Sequence, residues 1–305
     1  MRTAMLAMAL LLGLSGCSLA LTGQRMLSGQ VRRADFGEAT LPRPGGGYHY
    51  WDNGGPGDSR PVILLLHGFG GDGLGTWSPV MRALSADYRV VVPDLLWFGA
   101  STQEGPPGLE AQVQAVQDLL DRLGVDKATV VGLSYGGFVA LGLQAQAPQR
   151  LERLVIVDSP GPFFGEEEEA EMLRHFGATS VEEIFLPKGP ADVQRLLNLA
   201  WYHPPRLPGF LLKDLYLHSF SQQLEEQGAL LNDLRSRRGT LTLSPPPIPV
   251  LVIWGEHDAV FPVALGQQLA TSLGGELRVI PNTAHGPNIE RPSDFVAALQ
   301  GWMGP

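Results

Sequence analysis

The chain has 305 residues, 44% of them hydrophobic, and a formal net charge of −9, which suits one sizeable folded core and excludes a disordered chain. The negative balance excludes a nucleic-acid binder, because phosphate backbones demand a clustered positive field and none is visible. The single cysteine, Cys17, excludes an internal disulfide and a thiolate metal centre.

The first residues, MRTAMLAMALLLGLSGC, give one basic residue, Arg2, an apolar stretch from Ala4 to Leu14, and small residues before Cys17. This is the pattern of a secretory signal. A run of about 11 residues is too short to span a bilayer that needs about 20. Leu14-Ser15-Gly16-Cys17 resembles the bacterial lipoprotein processing box, against the competing readings of ordinary signal cleavage or a chance cysteine. The resemblance implies a signal peptide over 1–16, cleavage before Cys17 and a diacylglycerol on its thiol, with further acylation giving a stable anchor. Residues 17–47, containing Arg32, Arg33 and the Pro42–Gly47 run, read as a lipidated tether. The expected location is the bacterial cell envelope, with Ser18 pointing to the outer membrane if the source is a diderm.

Further along, Val62–Leu66, Arg89–Val92, Thr129–Val131, Leu154–Val157, Val250–Trp254 and Leu277–Ile280 read as strands. Most are continuously apolar, as strands covered on both faces are. Leu109, Val113, Val116, Leu120 and Leu123 recur at steps of four and three, predicting a helix stopped by Gly124. Tyr135–Gln146 and Phe295–Trp302 read as further helices. This alternation predicts a mostly parallel sheet. It breaks between Ser159 and Pro249, where helical stretches near 166–176, 190–201 and 210–237 predict an aromatic-rich cap, some of whose rings line a pocket. The acidic run Glu166–Glu169 reads as a solvated helix start, with no histidine or aspartate at ligand spacing around it.

The stretch VVGLSYGGF carries the chemistry. Gly132-Leu133-Ser134-Tyr135-Gly136 fits G-x-S-x-G at a strand-to-helix junction, where a sharp turn exposes the hydroxyl at a helix N-terminus. A serine hydroxyl needs a base, and the base needs an orienting group. His285, after the last strand, is the expected base; Asp258, after Val250–Trp254, is the expected acid that holds its tautomer. Glu256 and Asp158 are rivals for the acid, Asp158 reading as a loop or cap residue, and His257 reads as solvent-facing. In LLLHGFGGDG, the N–H of Phe69 and the N–H of Tyr135 are the expected oxyanion donors, with His67 bracing the loop. That loop lacks the lysine of a phosphate loop.

In order, HGFGG, VVPDLLWFGAS, GLSYGG, WGEHDAVFP and NTAHGPNIERP resemble the α/β-hydrolase fold family, specifically lipase/esterase members of the monoacylglycerol-lipase-like and carboxylesterase kind with a helical cap, over about residues 48–303. The resemblance implies a doubly covered sheet over 48–159 and 246–305, and a cap over 160–245 inserted after the sixth strand. It implies no cofactor and no metal, a small-molecule or lipid ester as substrate, and the Ser134, Asp258, His285 order. A serine at 134 disfavours relatives that use an aspartate there. Ester hydrolysis through an acyl-enzyme leads, apolar esters such as acylglycerols being the expected substrates. Carbon–carbon bond hydrolysis, acyl transfer and cofactor-free peroxidase chemistry on the same residues, and a non-catalytic envelope binder, are the alternatives. Leu96-Trp97 departs from the Pro-Gly of many relatives and is expected to narrow or reshape the entrance.

Overall fold

The computed structural model describes residues 18–238 and 243–304, so the signal segment and Cys17 lie outside the described residues. The ladder runs β1 (Gly37–Arg43), β2 (Gly46–Asp52), β4 (Arg89–Pro93), β3 (Val62–Leu66), β6 (Ala128–Leu133), β7 (Leu151–Val157), β8 (Val250–Gly255), β9 (Glu276–Ile280), and a two-residue β5 (Thr102–Gln103) pairs with β2. The β1–β2 and β2–β4 pairs are antiparallel. The pairs from β4 through β9 are parallel.

The apolar strands fill two cores, because successive side chains leave a strand on opposite faces. Leu64, Leu66, Val130, Ile156 and Val252 pack on one face with Val113, Val116 and Val139. These last come from α3 (Leu109–Arg122) and α4 (Tyr135–Gln146). Ile63, Leu65, Val131, Val155 and Ile253 pack on the other face with Trp77 and Phe295, from α2 (Gly73–Leu84) and α12 (Pro292–Met303). Each predicted strand is present, and the helix over 109–122 ends at Gly124, whose φ of 64° closes it.

Over residues 18–47 the tether reading is corrected. Leu19–Arg32 is α1, with Val31 buried beside Phe36 and Trp51 in the second core. The Pro42–Gly47 run is a hairpin: Arg43 pairs with Gly46 around Pro44-Gly45, and Gly45 sits at φ 77°. Proline sets the first central angle of such a turn and glycine the second. β1 gave no sequence signal because its outer edge is mostly exposed and so carries no apolar alternation.

Between β7 and β8 the chain is helical: α5 (Glu166–Phe176), α6 (Val181–Phe185), α7 (Pro190–Ala200), α8 (Gly209–Leu215), a π-helical turn (Tyr216–Phe220) and α9 (Leu224–Ser236). Set aside β5, and β7 is the sixth strand. The single helix expected over 210–237 is broken. Ser221 Oγ donates to Leu217 O at 3.0 Å, and Gln223 adopts φ 54°. After β8 come α10 (Val263–Leu273), then β9, α11 (Pro287–Glu290) and α12. No helix among the described residues is long and apolar enough to cross a membrane.

Candidate active site

The turn at Ser134 arises from what its glycines leave out. A Cβ on Gly132 would strike the carbonyl of Gly136, and one on Gly136 would strike that of Leu66. Between them Ser134 holds φ 51° and ψ −114°, a strained conformation for a residue with a side chain. It is fixed by Ser134 N–H donating to Val157 O at 2.8 Å and Gly137 N–H donating to Ser134 O at 2.9 Å. Its side chain is left to the cavity above the sheet.

Asp258 follows β8. Its Oδ1 accepts the N–H groups of Val260 and Phe261 at 2.8 and 3.1 Å, and its Oδ2 lies 2.8 Å from Nδ1 of His285. The carboxylate is thereby aimed at the imidazole, the arrangement that leaves Nε2 as the basic nitrogen. Phe261 also packs edge-on to the ring, with centroids 5.4 Å apart. The loop after β9 is held by Glu290, whose Oε1 accepts Ala284 N–H at 2.6 Å while Oε2 accepts Tyr202 N–H of the cap at 2.8 Å. Sequence reasoning missed Glu290. Its only signal was an acid just downstream of the histidine.

Ser134 and His285 line one cavity of about 290 Å³. Phe69, Phe185, Leu196 and Phe220 are among its apolar walls, so the cap supplies part of the aromatic lining anticipated from the sequence. Gly68 lies against the serine: a Cβ there would sit 3.0 Å from Ser134 Cβ. The backbone N–H groups of Phe69 and Tyr135 take no acceptor among the described residues, so both are free to receive an oxyanion. His67, fully buried, accepts Leu95 N–H on Nε2 at 2.9 Å and puts Nδ1 2.8 Å from Gly68 O. It joins two loops, and burial holds its pKa below the ordinary value. His257 is exposed and stacks on Tyr202, and exposed Glu256 accepts Asn282 N–H at 3.0 Å, so neither approaches His285 through these contacts.

The entrance-narrowing expectation for Leu96-Trp97 is corrected. Both are 1% exposed and are tied away from the cavity. The Gln112 side chain bonds the N–H and C=O of Leu96 at 3.0 and 2.8 Å, and Trp97 Nε1 donates to Gln103 O at 2.8 Å. Gln227 of α9 donates to Trp97 O at 2.9 Å, joining cap to core.

Asp158, at the end of β7, is fully buried with φ 44°. Its Oδ1 accepts Gly255 N–H at 2.8 Å and its Oδ2 has no partner among the described residues. Its ligand atom and those of Asp258 and His285 all lie within 4.8 Å of one another. Within this set both oxygens of Asp258 and Nδ1 of His285 are already bonded, to the two amides and to each other, which leaves Asp158 Oδ2 as the unpartnered carboxylate oxygen among them. Burial pushes the Asp158 carboxyl well above the usual range, and the charge of Asp258 pushes it further. Both effects favour the neutral form of Asp158. Asp158→Asn, which keeps the shape and the Gly255 bond, should leave kcat/KM within about threefold of wild type at pH 7. A loss of a hundredfold or more in the same steady-state assay would show that the ionised form is needed.

The model of the alpha/beta hydrolase fold family matches residues 61–292. An uncharacterized protein of Mycobacterium tuberculosis is 27% identical over 275 residues, covering 80% of this chain and 76% of its own. Among solved structures, a hydrolase from Pseudomonas aeruginosa superposes with a TM-score of 0.71 at 26% identity, covering 88% of this chain and 98% of the other. A bacterial membrane phospholipase A superposes with a TM-score of 0.75 at 24% identity, covering 99% and 98%, a likeness of fold. The family match spans strands β3 to β9, the strained turn, the cap and the loops carrying Asp258 and His285, and the chain belongs to the α/β-hydrolase fold family.

Proposed function

We propose that this hydrolase cleaves carboxylic esters with apolar acyl groups, acylglycerols among them, through an acyl-enzyme on Ser134. The observation that carries the reading is the convergence of a strained serine and a carboxylate-oriented histidine on one apolar cavity. In this reading His285 Nε2 takes the proton of Ser134 as Oγ attacks the ester carbonyl. The N–H groups of Phe69 and Tyr135 receive the oxyanion, and the imidazolium, stabilised by Asp258, returns the proton to the departing alcohol. Water, deprotonated by the same nitrogen, then releases the acid and restores the serine. The chain is anchored in the bacterial envelope by a lipid on Cys17, a proposal resting on the Leu14–Cys17 sequence.

The acyl chain lies along the aromatic and leucine walls in this reading. Across nitrophenyl esters from acetate upward, kcat/KM should then rise about fourfold per added methylene until the cavity is filled, since burying one CH₂ is worth about 0.8 kcal/mol. Equal or falling values from acetate onward would place the acyl group elsewhere.

A further inference from the structure

Among the described residues five large apolar side chains stand exposed: Met26 at 65%, Phe210 at 59%, Leu217 at 46%, Val279 at 41% and Leu21 at 36%. All but Val279 belong to α1 or to the segment 209–220, two elements that pack on each other. Phe210 and Leu217 are seven residues apart, about two helical turns, so they share a side of that segment. Asp214 stands between them. Its Oδ2 accepts Ser18 Oγ at 3.0 Å and Ala20 N–H at 2.6 Å. Ser18 and Ala20, at the start of the described chain, are thus tied to the segment that carries Phe210 and Leu217.

The charge of this region opposes that of the whole. The chain carries −9 overall, yet residues 18–33 hold three arginines and no acid. Arg25, Arg206 and Lys213 are exposed and form no ion pair among the described residues. Exposed apolar side chains interspersed with free cations suit one surface in particular, a bilayer with anionic headgroups. The same segment reaches the reaction centre, since Leu215, Ser219 and Phe220 line the cavity that holds Ser134.

We propose that α1 and the segment 209–220 form a bilayer-docking face that seats the cap on anionic lipid and admits bilayer-resident esters past the π-helical turn to Ser134. The admission of esters rests on the esterase reading above; the docking does not. The test uses the full chain on vesicles of phosphatidylethanolamine with about a quarter phosphatidylglycerol. The Phe210→Glu/Leu217→Glu chain should hydrolyse a soluble nitrophenyl ester within about twofold of wild type and a vesicle-embedded diacylglycerol about tenfold more slowly. Unchanged rates on both substrates would overturn the proposal.

Docking is read without turnover by a polarity-sensitive fluorophore on Phe210→Cys or on Glu152→Cys, at the far end of β7, both with Cys17→Ser so that one thiol is available. Brominated acyl chains in those vesicles should quench the probe at 210 and leave that at 152 unaffected. Equal quenching at both sites, or none at either, would overturn the proposal whatever the esterase assay shows. Concentration-dependent dimers without vesicles that are abolished by the two glutamates would assign the face to a second copy instead. Absence of ester turnover in wild type, with quenching confined to 210, would sink the esterase reading and leave the docking face standing.

Discussion

Ser134→Ala is expected to lower kcat on nitrophenyl esters by on the order of 10⁶-fold, to a residual rate set by binding and the oxyanion donors alone. The size of the loss follows from the division of labour. The histidine and carboxylate can act only on a nucleophile, so removing the hydroxyl disables all of them at once. Folding should be spared. The Ser134 hydroxyl makes no hydrogen bond among the described residues, the turn being held by the backbone bonds to Val157 and Gly137. Alanine tolerates φ 51° no worse than serine does. The measurement is a steady-state rate beside a thermal melt: the rate collapses and the midpoint stays within a few degrees. Turnover within tenfold of wild type would remove Ser134 from the reaction.

Asp258→Asn should lower kcat by about 10⁴-fold. Asparagine preserves the shape but turns a donor or a neutral acceptor toward Nδ1, so the imidazole is held in the wrong tautomer and its protonated form loses its counter-charge. Asp158 does not rescue it as the site stands. Its carboxyl is driven toward the neutral form by burial, and the Nδ1 bond of His285 is made to Asp258. A variant retaining more than a tenth of wild-type kcat would show that removing the Asp258 charge lets Asp158 ionise and take over. The double variant with Asp158→Asn, assayed across pH, would then separate the two acids.

The sheet was legible because a parallel strand covered on both faces is apolar at every position, as in Val62–Leu66 and Val250–Trp254. The serine turn was legible because only glycine fits at 132 and 136, where backbone carbonyls stand in the way of any Cβ. Asp258 and His285 could be picked out because each follows a strand recognisable from its own residues. What brings them within 2.8 Å of each other is long-range packing that no local pattern encodes.

The N-terminal region was misread for the opposite reason. Pro and Gly at 42–47 serve a linker and a hairpin alike, and the partner that decides, β2 bound in turn to β4, is remote in sequence. Asp158 does follow β7 in a bend, as the sequence predicts, but a lone acid after a strand carries no sign of its burial. Its place beside Asp258 comes from the parallel register of β7 with β8. From sequence Leu96-Trp97 reads as an entrance feature, yet its surroundings are set by Gln112 and Gln103, on other elements.

The central claim is that Ser134 is a nucleophile activated within this cavity. Its most direct test is to treat the protein with a fluorophosphonate, digest it and locate the adduct by mass spectrometry. The account predicts one stoichiometric phosphonyl adduct on the peptide containing Ser134, absent from Ser134→Ala and strongly slowed in His285→Ala. A folded wild-type protein that acquires no adduct, or acquires it on another residue, would contradict it.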